Sequence, residues 1–338
     1  MNPPDREVEC TIPILPVGDL ERSIRFYTET LGFKLDWSSG PVCSVSRDGR
    51  PIMLRQATPV AAASWVWIGL ESDALFFGRE IYEVTSFALL DHAFARGVRH
   101  FDTAAAYGQG ASETIVGRWL ASRKPEGVSV ATKVLPPYDR IDIRGSLQRL
   151  GLEKIDLLYL HQWHETALQA GPVLDELVRS GQVKSLGVCN VTLEQLKAAG
   201  PSYSVVQNNH NLAVSDVSEA MRDYCAANDI EVVTYSPLGA GFLTSKHQSG
   251  VQTGSRFDLV PGHQDVYFHE SAYRRLAKLE AVSRRAGQSQ AHLALAWALH
   301  QPGIATVLVG GRNPAHLDQA FNALAFNDPG LFAELTQS

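Results

Sequence analysis

The sequence predicts an α/β protein, a (β/α)8 TIM barrel preceded by a small α+β unit, on three observations. From residue 80 onward, helical stripes alternate with short apolar runs. The runs are nearly continuous, as parallel strands covered on both faces must be. Seven such runs are present, an eighth is supplied by Trp65 to Gly69, and together they fall within about 250 residues, the span of a closed barrel. An open doubly wound sheet is the alternative, but no strand leads into the GxGxxG turn of its nucleotide-binding form.

The elements follow in order. Glu9 to Pro16 reads as a strand, and Leu20 to Leu31 as a helix with Ile24, Tyr27 and Leu31 on one face, Asp19 as N-cap and Gly32 as terminator. Val42 to Val45 and Pro51 to Leu54, joined by Arg47, Asp48 and Gly49, suggest a hairpin, so the front reads βαββ. Ala57 to Ala63 is a small-residue connection, which places the domains at 1–63 and 64–338. The barrel rhythm begins with the helix Val84 to Arg96 and the strand Val98 to Phe101. Ile115, Val116, Trp119 and Leu120 then precede the strand Val128 to Thr132, and Leu147 with Leu150 precede Ile155 to Leu160. Val173, Leu174 and Leu177 lead to Val183 to Val188. The short run Ser204 to Gln207 follows. A stripe of Val217, Met221, Tyr224 and Cys225 leads to Ile230 to Thr234, and the helix Ala291 to Leu299 leads to Ala305 to Val309.

Composition narrows the function classes. At 338 residues and 45% hydrophobic, the chain can bury a sizeable core. Its net charge of −6 comes from interspersed acids and bases, which argues against nucleic acid or an anionic membrane as partner and for a small molecule. Cys10, Cys43, Cys189 and Cys225 form no CxxC pair, as expected of reduced thiols in a cytoplasm. The most apolar run, Pro59 to Leu70, is too short to span a bilayer, and a cytoplasmic location is expected. His164, His210 and His316 lack ligand spacing, so no metal site is expected.

In such a barrel every strand delivers its C-terminal residues to one mouth. Those positions hold Asp102, with Tyr107 in the following turn, then Lys133, His161, Asn190, Gln207 and Tyr235. A tyrosine titrating near ~10 is a poor acid at neutrality unless a cation favours its phenolate. Lys133 would be that cation and Asp102 the partner a buried ammonium needs, while His161 could hydrogen-bond a carbonyl oxygen gaining negative charge. The set suits hydride delivery to a C=O group, with tyrosine as general acid. Singly, each residue has an ordinary structural reading: a packing aromatic, a surface charge, a turn cap.

At these residues the chain resembles the aldo-keto reductase superfamily. "FDTAAAYGQGASE", "VATKV", "RLGLEKIDLLYLHQW", "LGVCN", "VVQNNHN" and "YSPLGAGFLTSK" stand in that family's order and spacing across about residues 65 to 330. The resemblance implies an NADPH-dependent reductase of aldehydes or ketones, or the reverse reaction on an alcohol or sugar. It implies the catalytic tetrad Asp102, Tyr107, Lys133 and His161. Asn190 and Gln207 would bind the nicotinamide carboxamide and Tyr235 would stack on the ring. Ser236, Leu238 and Ala240 would run beside the pyrophosphate, and Arg256 would belong to the loop covering the phosphates. "VLVGGRNPAHLDQAFNA" resembles the adenosine-phosphate segment, implying Gly310, Arg312, His316 and Gln319 there, with Arg312 and His316 toward a ribose 2′-phosphate. NADH stays open, since Ala320 stands where the family usually has an adenine-contacting asparagine, and Cys189 replaces a serine. Trp163 is placed either on the substrate pocket wall or in loop packing.

The opening "LPVGDLERSIRFYTETLGF" resembles the glyoxalase and bleomycin-resistance type of the vicinal oxygen chelate superfamily, through Val17, Asp19, Ser23, Phe26, Tyr27, Leu31, Gly32 and Phe33. Ile12 occupies the position of the metal histidine, and no glutamate stands on Pro51 to Arg55, so the resemblance implies no metal chemistry here. "SWVWIGLESDALFFG" fits either a second module or the barrel's first strand, with Glu71 and Ser72 replacing a Gly-Thr pair. The half-module is expected to complete the barrel, to pair subunits as a homodimer, or to ride along. Two rival readings remain: a non-catalytic NADPH-sensing subunit, and a defective fusion with a poorly closed barrel.

Overall fold

The computed structural model describes residues 14–17, 19–40, 42–48, 50–56, 79–200, 202–247, 250–252, 255, 257, 264–311 and 313–337. The expected strand Trp65 to Gly69, the seam residues Glu71 and Ser72, and Ile12, Arg256 and Arg312 lie outside the described residues. The chain forms two compact units, Met1–Ile81 and Tyr82–Ser338.

The first unit comprises β1 (Ile14–Val17), α1 (Leu20–Arg25), β2 (Lys34–Ser39), β3 (Val42–Arg47) and β4 (Arg50–Gln56). Asp19 caps α1 as expected, its carboxylate accepting from the Arg22 N–H at 2.9 Å. The helix then widens into a π-turn, Phe26–Thr30, and Gly32, at φ 67°, reverses the chain. In the sheet order β1-β4-β3-β2, β1 runs parallel to β4 and the other pairs are antiparallel. Alternate side chains of β3 and β4, Cys43, Val45, Ile52 and Leu54, are buried with Leu20, Tyr27, Leu31 and Phe33 in one core.

The expected βαββ is corrected here to βαβββ: Lys34–Ser39 is a strand. It sits at the sheet edge with every residue exposed, and a bulge between Leu35 and Trp37 breaks the period-two pattern that marks a strand in sequence.

In the second unit, α2 (Arg79–Ala95) leads into seven parallel strands, β5 (His100–Asp102), β6 (Ser129–Val134), β7 (Ile155–Leu160), β8 (Val183–Cys189), β9 (Val205–Asn209), β10 (Glu231–Tyr235) and β11 (Thr306–Val307). They pair in chain order. Between them lie α3 (Ala111–Arg123), α4 (Arg144–Leu150), α5 (Gly171–Arg179), α6 (Leu193–Ala199) and α7 (Glu219–Ala227). After β10 come α8 (Gln264–Tyr267), α9 (Glu270–Ala286) and α10 (Gln290–Leu299), and after β11 come α11 (Pro314–Leu324) and α12 (Pro329–Thr336).

The continuous apolar runs separate into two layers. Leu158, Leu160, Val188, Val206 and Val232 join the helix-facing core with Leu174 and Met221. Leu157, Tyr159, Cys189, Val205 and Val233 pack on the other face with Ala131. Strands buried on both sides hide their period of two from sequence inspection because both sets are apolar. Among the described residues no helix is long and apolar enough to cross a membrane.

Candidate functional site

The C-terminal ends of the strands gather the chemistry. β5 ends in Asp102, and the parallel register of β5 with β6 and of β6 with β7 carries Lys133 and then His161 alongside. The His161 N–H donates to the Val134 carbonyl at 2.9 Å, extending the pairing past β7. Lys133, whose side chain is 1% exposed, forms an ion pair with one oxygen of Asp102 and donates to the Thr103 carbonyl at 2.9 Å. The other Asp102 oxygen accepts from Gln207 Nε2 at 2.9 Å. Burying two charges costs several kcal/mol each unless they are paired and hydrogen-bonded, and this pair is both.

Tyr107 begins a tight turn, Tyr107–Gly110, in which Gly108 and Gln109 take left-handed backbone angles of φ 57° and 53°. The turn holds its ring against the pair: Lys133 Nζ lies 5.1 Å from the ring centroid, and the His161 ring meets it edge-on at 5.5 Å. Tyr107 is 43% exposed, so the phenol faces the mouth while the ammonium behind it is enclosed. Burial raises the Tyr107 pKa above the ordinary value and Lys133 pulls it down, with burial the larger effect. Lys133 favours the phenolate as expected, and desolvation of the ring opposes it more strongly. Burial, then Lys133, lowers the His161 pKa, so the ring is neutral at neutral pH. Its Nδ1 is buried with no partner among the described residues. A neutral imidazole carries one ring proton, and from Nε2 it could be donated to a substrate oxygen.

The residues implied for the nicotinamide are joined to this group. Asn190, at φ 58°, donates from Nδ2 to the His161 carbonyl at 2.9 Å and accepts from the Tyr235 hydroxyl at 2.6 Å. Gln207 Oε1 accepts the Cys189 thiol at 3.7 Å, and burial pushes that thiol's pKa up, so it is an inert neutral donor. Beyond β10, Ser236 (φ 56°) and Ala240 (φ 55°) are left-handed. Non-glycine residues held in this region cost free energy, and they concentrate where a backbone must meet a ligand. A buried network that sequence reasoning missed supports the loop. Asn211 Nδ2 donates to the Ser236 carbonyl at 3.0 Å, and the Tyr267 hydroxyl accepts from Asn209 at 3.0 Å. Leu238 packs into the adjoining core.

Gly310 precedes α11, His316 lies in its first turn and Gln319 in its second, all exposed, with Asn313 as N-cap accepting from the His316 N–H at 3.1 Å. A capped helix N-terminus suits a phosphate. Trp163 packs against the helix-facing core. Among the described residues no group of three or more His, Cys, Asp or Glu is placed to hold a metal.

The donor set fits a nicotinamide cofactor: two amides and a tyrosine ring beside the Tyr107 phenol, then a left-handed backbone loop, then a helix start. A parallel α/β architecture with Asp102, Lys133 and His161 at or just past its strand ends and Tyr107 in the following turn is consistent with an oxidoreductase barrel. Residues 73–329 match the Aldo/keto reductase family, so the chain belongs to that family and is an NAD(P)H-dependent oxidoreductase. Residues 9–80 match the Glyoxalase/Bleomycin resistance protein/Dioxygenase superfamily, and the two matches overlap across the ambiguous seam.

Among curated proteins, the aldo-keto reductase YhdN of Bacillus subtilis (strain 168) is 33% identical over 261 residues, covering 70% of this chain and 77% of its own length. A probable aldo-keto reductase 1 of Glycine max is 30% identical over 266 residues, covering 72% and 76%. Among solved structures, a glycerol dehydrogenase from Gluconobacter oxydans superposes with TM-score 0.63 at 23% identity, covering 75% of this chain and 84% of that one. An aldo-keto reductase from Klebsiella pneumoniae in complex with NADPH gives TM-score 0.59 at 22% identity, covering 75% and 84%. The likeness to both structures is one of fold.

Proposed function

We propose that the protein reduces aldehydes or ketones with NADPH, or runs in reverse on an alcohol or sugar, with Tyr107 as general acid. The observation that carries this reading is the enclosed Lys133 ammonium, paired with Asp102 behind the Tyr107 ring and flanked edge-on by His161.

NADPH, when bound, supplies the hydride. Asn190 and Gln207 would hold the carboxamide, Tyr235 would support the ring, and Ser236, Leu238 and Ala240 would line the pyrophosphate. Arg256, Gly310, Arg312, His316 and Gln319 would meet the phosphates at the adenosine end. Tyr107, like any phenol, is protonated at neutral pH, so the proton is present when the substrate oxygen gains charge, and Lys133 opposes the burial that disfavours its release. His161 donates from Nε2 to the same oxygen, and Lys133 stabilises the phenolate left behind.

Tyr107→Phe should bind NADPH as the parent does, with turnover of 4-nitrobenzaldehyde lower by about 10²- to 10⁴-fold. Near-parental turnover would remove the assignment, and tight NADPH binding by a parent that turns over no aldehyde would point to a sensor.

A further inference from the structure

The first turn of α3 reaches both strands that carry the buried ion pair. Thr103, which follows Asp102 and gives its carbonyl to Lys133, donates from its hydroxyl to Ser112 Oγ at 2.7 Å. Thr132, which precedes Lys133, donates to Glu113 Oε1 at 2.5 Å. α3 begins where the Tyr107–Gly110 turn ends, so one helical turn is tied to Asp102, to Lys133 and, along the chain, to Tyr107.

Glu113 is fully buried, and its second oxygen is held by Arg149 Nε at 2.7 Å. Room for that arginine is built in. A Cβ at Gly110 would stand 2.5 Å from Arg149 Cδ, and one at Gly145 would stand 3.0 Å from its Nη1. A buried ion pair is weak as a source of stability, since apolar side chains of similar volume serve as well or better. What it supplies here is direction: a hydrogen bond fixes the register of helix against strand to a fraction of an ångström, which apolar packing does not.

We propose that Glu113, held by Arg149, is a positioning residue for the reaction, setting the Tyr107 phenol against the Lys133 ammonium through Thr132, with Ser112 and Thr103 doing the same for Asp102. The inference rests on the general-acid reading above. Glu113 touches neither substrate nor cofactor in this role. It holds the strand whose next residue supplies the charge on which proton release depends.

The test uses Thr132→Val, which removes the hydroxyl and leaves the Glu113–Arg149 pair intact, with Thr132→Ser as the conservative rescue. Misplacing a catalytic group by about 1 Å can cost roughly 10²-fold, so kcat for 4-nitrobenzaldehyde should fall by about 10- to 100-fold in Thr132→Val. KM and the NADPH Kd should stay within about twofold, because the altered group acts on proton transfer rather than on binding. The alkaline limb of the kcat–pH profile should move upward as Tyr107 loses the pull of Lys133, and Thr132→Ser should restore both. Parental kcat and pH profile in Thr132→Val would overturn the proposal whatever the change in Tm. If Thr132→Val does not fold, Thr103→Val breaks the sister bridge and is read in the same way. A parent insensitive to Tyr107→Phe would defeat the functional reading, and this inference with it. A sensitive parent with a normal Thr132→Val defeats this inference alone.

Discussion

His210 is a histidine 3% exposed, stacked on Trp297 at 5.4 Å, with neither ring nitrogen hydrogen-bonded among the described residues. Burial first, then Arg222 and Arg275, lowers its pKa from 6.5 to about 4. Above pH ~6.5 the ring is neutral in both folded and unfolded chains and adds no pH dependence to stability. Between about 6.5 and about 4 the unfolded chain takes up a proton that the folded one refuses, so stability falls as pH falls through that window. The loss is on the order of 3 kcal/mol at its limit. His210→Phe keeps a ring against Trp297 and removes the proton site. Urea denaturation at pH 7 and pH 4.5 should show a smaller acid loss in the variant, and an equal loss in both proteins would exclude His210 as its source. At Tyr107, by contrast, burial and charge oppose one another, and a sequence shows the neighbouring lysine but not the depth of the site.

At the scale of elements, β7 and β8 meet through one glycine. A Cβ at Gly187 would run into the Tyr159 ring and stand 3.1 Å from the Val205 carbonyl, so the strand is built around that aromatic. Tyr159 is fully buried in the inner layer with Lys133 Nζ 5.7 Å from its ring centroid. Gly187→Ala should therefore destabilise by about 2–3 kcal/mol, the range for overpacking a filled core. Tyr159→Leu in the same chain should recover part of that loss, and denaturation of the two single variants and the double shows it as a coupling. Strictly additive losses would mean the clash lies with the Val205 backbone instead. A strand such as β7 was legible from its apolar run, but which of its residues face inward was not, since Leu157 and Leu158 are chemically alike. β2 was missed for the opposite reason: an exposed edge strand carries little apolar signal.

For the whole molecule, cofactor binding and stability are linked. If the site binds NADPH as proposed, ligand at a hundred times its Kd should stabilise the folded chain by about 2.7 kcal/mol. That corresponds to a rise in Tm of roughly 5–10 °C, measurable by thermal melting with and without NADPH. A melting curve indifferent to NADPH would instead favour a barrel unable to hold the cofactor.

The barrel rhythm and the identity of the strand-end residues are written in the amino-acid order, because apolar runs of fixed spacing leave few topologies and a parallel barrel sends every strand end to one mouth. What those residues touch follows from the folded arrangement alone. Gln207 is 105 positions from the Asp102 it bonds, and Arg149 is 36 from Glu113, separations that no local pattern encodes. Burial, which fixes the direction of the Tyr107 and His161 pKa shifts, is likewise a property of everything packed around a group rather than of its neighbours along the chain.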